Sequence, residues 1–471
     1  MKTTTGRPKM VILSSYADEA SHGLLGPQMA ATIINETTPY ECIVVVVTRK
    51  SDPKRLMENL YDYFTPQRPV IGFSLLSGGS DLISLAGVLK RDGAITLLAG
   101  PQAEADFRGE PNQAKHPHRF IGHADHFSFA LQGPAEQIRP FLSDTNGKSG
   151  MNLPGFVLRK DDGRIVSVSM QRWDQNFLGR VDWNTLYRLD GMSLKALVPS
   201  SCQVLQQIGC PHAKRSLVVD IDYPTALSAP GTRSIRTKTT GCSFCDVAID
   251  KGFQGSLDLK TVLSQITCLP ETITGRKIPF ELINENPLPG LVQLLRATAS
   301  AGVALSEIQL TLRADWLLRG KSHLQAALKA AREVGLRIVL AAVGFESFDN
   351  RILRNLNKGV TVDTNLAAVH LMRQLKNDYP DVFCYLRHEG GNHGFIHPTP
   401  WDSPESEARV QNVIAVHNLA EDILPDHSTP LIIHHASALG AWIRAVEGET
   451  GLRYPRQNSW IAWWDQPVYS S

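Results

Sequence analysis

Short apolar runs alternate with longer segments of helical spacing over the first hundred residues. Met10-Val11-Ile12-Leu13-Ser14-Ser15 reads as a buried strand ending in small residues, and residues 24–35 read as a helix. Ile43-Val44-Val45-Val46-Val47 carries no polar alternation, the pattern of a strand covered on both faces in a parallel sheet. Val70 to Leu76 is a third strand, followed by Ser77-Gly78-Gly79 and a helix to Lys90; Ala94 to Leu98 is a fourth, ending at Gly100-Pro101. This alternation predicts an α/β fold with a Rossmann-like, doubly wound parallel sheet. Such sheets bind ligands beyond the carboxyl ends of their strands, here at Ser14, Ser74, Ser77, Gly78 and Gly100.

The pattern weakens from Ser143 to about Ser200. Asn146-Gly147-Lys148-Ser149-Gly150 has linker composition, and 156–159 with 165–168, joined through Asp161-Asp162-Gly163, predict a hairpin. Strand-like runs return at Val204–Gly209, Ile278–Ile283, Ile308–Asp315, Ile338–Ser347 and Val382–Leu386, with an amphipathic helix over 324–335. The stretch Tyr223–Lys238, rich in Pro, Ser, Thr and Arg, reads as a loop. Beyond Ser403 come a helix (405–419), a strand (431–434) and a helix to about Glu449; Trp460, Trp463 and Trp464 read as core packing. The expected division is 1–142, a connector 143–200, 201–410 and a C-terminal extension 411–471.

A chain of 471 residues exceeds what one core serves, so two or three domains are expected. A net charge of +2 without a basic run argues against nucleic acid or an anionic membrane as partner. No apolar run has bilayer-spanning length, and the short polar N-terminus is not a secretory signal. Seven cysteines spread over a long chain argue for a reducing, cytoplasmic setting with some metal-ligating thiols.

Gly241-Cys242-Ser243-Phe244-Cys245-Asp246 carries the most specific chemistry. Two cysteines two residues apart serve half of a zinc site, a redox dithiol or part of an iron–sulfur ligand set. Cys202, Cys210, Cys242 and Cys245 together would close a tetrahedral zinc site.

The aromatic between the paired cysteines resembles the radical S-adenosylmethionine enzymes. In that family a third cysteine stands four residues before the pair, a position held here by Lys238. Gly209-Cys210-Pro211 resembles the strand end that carries the family's first ligand, so Cys210, Cys242 and Cys245 are the expected ligands of a [4Fe-4S] cluster, with Cys202 as the competitor for the first. The resemblance implies a partial (β/α)6 TIM-like barrel after the first domain. It further implies contacts to S-adenosylmethionine from Phe244, Asn284, Glu285, Arg313 and Glu346, the last in Gly344-Phe345-Glu346-Ser347 ahead of Lys358-Gly359.

The first domain resembles the cobalamin-binding domain of one branch of that family, through Leu98–Ala103 and Gly133-Pro134-Ala135-Glu136. This adds Gln102 and Gly133 to the strand-end residues as cobalamin contacts. His22 lacks the spacing of a cobalt-ligating histidine and is expected on a surface loop. The implied activity is reductive cleavage of S-adenosylmethionine to a 5′-deoxyadenosyl radical, used to methylate an unactivated centre of a small metabolite. An electron donor such as flavodoxin or ferredoxin is the implied partner. Rearrangement or cyclisation without cobalamin, and a non-catalytic zinc- or cluster-bearing binding protein, are the alternatives. His388, His393, His397, His434 and His435 match no ligand spacing and stand as candidate substrate or acid–base groups.

Overall fold

The computed structural model describes residues 6–17, 20–75, 80–143, 153–190, 193–245, 253–465 and 467–469. It is a mixed α/β structure that divides into two compact units. One comprises Met1–Cys202 with Cys268–Pro270 and Arg456–Trp460; the other comprises Gln203–Thr267, Glu271–Pro455 and Ile461–Ser471.

The first unit is built on a nine-stranded sheet of order β7-β6-β5-β4-β3-β1-β2-β8-β9. The strands are β1 (Lys9–Ser15), β2 (Glu41–Val47), β3 (Val70–Ser74), β4 (Ile95–Ala99), β5 (Phe129–Leu131), β6 (Phe156–Arg159), β7 (Ile165–Ser167), β8 (Leu186–Asp190) and β9 (Ser193–Ala196). Pairing is parallel from β5 through β8, while β6, β7 and β9 add antiparallel edges. Residues 153–190, expected as a connector, thus supply strands to both sides of this sheet. The apolar runs follow from burial on two faces: Val11 and Leu13 of β1 belong to one core cluster, Met10 and Ile12 to another.

The second unit holds a sheet of order β10-β15-β16-β17-β18, with β19 also on β17, and the pairings from β15 to β19 are parallel. Its strands are β10 (Cys202–Leu205), β15 (Phe280–Ile283), β16 (Glu307–Arg313), β17 (Arg337–Glu346), β18 (Phe383–Cys384) and β19 (Gly394–Phe395). The run expected as one strand over 204–209 breaks after Leu205. Its second half, β11 (Gln207–Gly209), pairs antiparallel with β14 (Phe253–Ser256). The strand expected at 431–434 is reduced to a single bridge residue at His434, with Ile461 N–H donating to Ile433 O at 2.9 Å beside it. Among the described residues no helix is long and apolar enough to cross a membrane.

The largest correction concerns the stretch between Cys210 and Cys242. It is a hairpin of β12 (Ser216–Asp222) and β13 (Ser234–Thr240), with Ser216 opposite Thr240 and Asp222 opposite Ser234. The strand signal is the two-residue alternation in β13, where Ile235, Thr237 and Thr239 are buried and their neighbours exposed. Ile221 and Ile235 enter a core cluster with Leu356, Trp401, Trp442 and Ile443, and Trp463 packs against it. Polar composition masked a strand whose inward positions are apolar or Thr.

Truncating the inward side should therefore cost far more than truncating the outward side. Ile235→Ala is expected to destabilise the second unit by about 2–4 kcal/mol, whereas Val218→Ala, on a side chain that is 63% exposed, should stay within about 0.5 kcal/mol. Urea denaturation of the two variants checks this, and equal losses would contradict the packing described.

Candidate functional site

The hairpin register decides where the cysteines lie. With Ser216 opposite Thr240, Cys210 and Cys242 both fall at the open end of the ladder, six and two residues beyond the paired ends. Cys210 precedes a 3-10 turn over Pro211–Lys214, and its carbonyl accepts from Ala213 N–H at 2.9 Å. The chain re-enters through Gly241, whose φ of +80° suits glycine and where a Cβ would stand 3.2 Å from the Ala213 Cβ. Asn357 joins the two turns: its Nδ2 donates to Gly241 O at 2.7 Å and its carbonyl accepts from His212 Nε2 at 3.1 Å.

Ser243 anchors the paired cysteines. Fully buried, it donates from N–H to Leu356 O (2.9 Å) and from Oγ to Asn355 O (2.8 Å), and its carbonyl accepts from Leu439 N–H (3.0 Å). Cys245 N–H donates to Cys242 O at 3.2 Å and closes the turn. Phe244 is half-buried against the core cluster under the hairpin. All three thiols are half-buried.

Charge converges on Cys242. Arg313 Nη1 lies 3.6 Å from its Sγ, while Arg313 Nε donates to Asp315 at 3.0 Å and Nη2 to Lys358 O. Burial pushes the Cys242 thiol above its ordinary range; Lys358 and Arg313 pull it back, and Glu346 opposes them. Burial likewise raises Cys210, with Glu285 and Cys242 adding to the effect, so these groups lie within electrostatic reach of one another. Glu285 is solvent-accessible yet crowded by protein, and this crowding raises its carboxyl against the pull of Lys358 and Arg313.

Glu346 and Lys358 form a buried pair, Nζ to Oε1 2.8 Å, with side chains 13% and 6% exposed. Burial draws the Lys358 ammonium down, but Glu346 and Cys242 outweigh it and hold the group above its ordinary value. Glu346 adopts φ +61°, an uncommon conformation for a non-glycine residue. Two glycines border the pair: a Cβ on Gly344 would stand 2.6 Å from Lys358 Nζ and one on Gly394 2.7 Å from Glu346 Oε2, so a side chain at either would displace the paired groups.

The structure thus brings Cys210, Cys242, Glu285, Arg313 and Glu346 into one neighbourhood, with Cys245 on the same turn as Cys242. Arg313 and Glu346 are committed to protein partners there. Asn284 is engaged too, donating to Gln206 Oε1 at 2.8 Å and accepting from Asn286 N–H at 2.8 Å. Cys202, at the start of β10, is buried, and a Cβ added to Gly23 would stand 3.2 Å from its Sγ, which accounts for it as a packing residue. Lys358 and His212 were not singled out as site residues; a lysine after Leu-x-x-Leu carries no sign that it will be buried.

Among the described residues the three thiols do not gather within 4.8 Å of one another. A single tetrahedral zinc ion with Zn–S bonds of about 2.3 Å needs sulfurs about 3.8 Å apart. His393 is accounted for by structure: Nδ1 accepts from Val343 N–H at 3.1 Å and Nε2 donates to Tyr385 O at 2.9 Å. His397 Nδ1 lies 3.3 Å from Asp402.

In the first unit Ser14 pairs with Ser74, and Ser74 with Ala99, so three neighbouring strands end in one line followed by Gly100. Ser14 Oγ and Gln102 Oε1 are buried with no hydrogen-bond partner among the described residues. Gly100 has φ +127°, and a Cβ there would stand 2.7 Å from Leu75 O. Gly133 follows β5, with φ +81°. Ser77 and Gly78 lie outside the described residues. His22, expected at the surface, is half-buried and stacked on Tyr16, ring centroids 4.8 Å apart.

No protein-family model matches the chain, and no curated protein matches it. Solved structures do. The cobalamin-dependent S-adenosylmethionine radical enzyme OxsB with aqua-cobalamin and S-adenosylmethionine bound shares its fold at a TM-score of 0.61 and 11% identity, over 97% of this chain and 64% of that one. Its selenomethionine-labelled apo form gives 0.61 and 11%, over 96% and 62%, and its aqua-cobalamin form 0.60 and 11%, over 97% and 64%. The chain therefore spans just under two thirds of the length of the structures it matches. The resemblance drawn from the cysteines and strand ends is met at the level of fold.

Removing one member of the buried pair leaves the other charge without a partner. Lys358→Met is expected to destabilise by about 3–5 kcal/mol, and adding Glu346→Gln should restore most of that loss. Urea denaturation of the single and double variants measures it; a double variant no better than the single would contradict the pairing.

Proposed function

We propose that the chain is a radical S-adenosylmethionine enzyme holding a [4Fe-4S] cluster through Cys210, Cys242 and Cys245, with cobalamin at the strand ends of the first unit. The observation that carries the reading is the hairpin closure that sets Cys210 beside Cys242 and Glu285. Three cysteines leave one iron free to take S-adenosylmethionine. The donor set fits such a centre, and the orphaned Ser14 hydroxyl and Gln102 carboxamide at a glycine-lined strand end fit a large polar cofactor. When bound, these groups supply an electron for cleaving the sulfonium bond to a 5′-deoxyadenosyl radical and a carrier for the methyl group.

The chain's own residues have separable tasks. Arg313 donates toward Cys242 Sγ and, with Lys358, stabilises the cysteinate form required of a ligand. Glu346 holds Lys358 in place. Glu285, accessible beside Cys210, is the acceptor we assign to the amino group of S-adenosylmethionine. Arg313 and Glu346, both committed to protein partners, are positioning residues. Methyl transfer to an unactivated centre of a small metabolite is the reaction we assign, on the resemblance to the cobalamin-binding branch.

Anaerobic reconstitution of cysteine variants tests the reading. Cys210→Ala, Cys242→Ala and Cys245→Ala should each lose iron, acid-labile sulfide and 5′-deoxyadenosine formation, while Cys202→Ala retains all three. A wild-type protein that holds zinc and no labile sulfide would overturn it.

A further inference from the structure

The 31 residues between Cys210 and Cys242 far exceed what ligand spacing requires, and they form an ordered hairpin with one face in the core and one in solvent. The ladder register places Ser216, Val218 and Asp220 on the outward face with Thr240, Lys238 and Arg236. Lys214 and Arg215 are exposed at the base of the hairpin, where the Cys210 turn leads into β12. Against the four cations Lys214, Arg215, Arg236 and Lys238 this stretch of the hairpin sets one outward carboxylate, Asp220, 3.5 Å from Arg236. At the opposite end Arg233 is matched by Glu449 at 3.2 Å, so the excess positive charge sits at the cysteine end. On this outward face Val218, 63% exposed, stands directly across from Lys238.

We propose that this outward face is the docking surface for a small acidic redox protein that delivers single electrons to the cysteine centre. The proposal rests on the functional reading above, because the cleavage assigned there consumes one electron that the chain does not itself supply. Charge complementarity selects the partner's sign, since cations on an exposed rim steer an acidic protein and set its orientation. The exposed Val218 side chain adds apolar contact among the charges. Covalent continuity places the surface: Thr240 is two residues from Cys242, and Lys238 four, at most about 14 Å of chain. A redox group carried by a protein seated on Val218 and Lys238 would stand close to the thiols.

The test uses the full-length, anaerobically reconstituted protein with flavodoxin as probe. Binding of oxidised flavodoxin is measured at low and high salt, and cluster reduction is followed with reduced flavodoxin and separately with dithionite. The triple variant Arg215→Glu/Arg236→Glu/Lys238→Glu should lose at least about tenfold in flavodoxin affinity, with flavodoxin-driven reduction falling in parallel and dithionite-driven reduction unchanged. A neutral triple variant with Gln at the same positions should fall between, and it serves where charge reversal disturbs folding. Binding by the reversed variant that equals wild type, or wild-type binding insensitive to salt, would overturn the proposal. If dithionite yields no reduced cluster even in the wild type, the functional reading fails, while the binding comparison still decides the surface.

Discussion

The antiparallel pairing of β12 with β13 is the constraint on which the site depends. Closing a gap of 31 residues by an unstructured loop costs on the order of 3 kcal/mol in chain entropy and leaves the ends free to wander. The ladder replaces that loop with a fixed register, so Cys210 and Cys242 are delivered to one place by backbone hydrogen bonds. Ile221 and Ile235 then tie the register to the core through Leu356, Trp442 and Ile443. Ser243 does the same for the paired cysteines, with three backbone contacts from one buried residue.

A second constraint is charge. A buried thiol resists ionisation, and Cys242 is pushed toward the neutral form by its surroundings. Arg313 and Lys358 oppose this from two elements, the end of β16 and the turn before Gly359. Each is in turn balanced, Arg313 by Asp315 and Lys358 by Glu346. The left-handed conformation at Glu346 and the two glycines around its carboxylate belong to that balance. Glu346 and the two cations thus set the field at one sulfur, and removing either member of the Lys358–Glu346 pair leaves an uncompensated charge.

The sequence showed the sheets more readily than the site. Runs such as Val44–Val47 and Ile338–Leu340 are apolar throughout because both faces are covered, and that signal survives without knowledge of partners. The second strand of the hairpin has loop composition because Ser234, Thr237, Thr239 and the flanking arginines dilute an alternation visible only when inward Thr counts as apolar. Arg313 and Glu346 were legible as polar residues at strand ends. Their commitment to Asp315 and Lys358 was not, because Lys358 reaches Glu346 only after the intervening helix Asn350–Asn355 folds back. The buried, orphaned Ser14 hydroxyl lay at a strand end that the alternating pattern had already marked.

The central claim is that the hairpin assembles a three-cysteine cluster site open to S-adenosylmethionine. The most direct measurement is electron paramagnetic resonance of the anaerobically reconstituted, reduced protein with and without S-adenosylmethionine. The account predicts a reduced-cluster signal whose shape changes when S-adenosylmethionine is added. A protein that shows no cluster signal and retains zinc would contradict it.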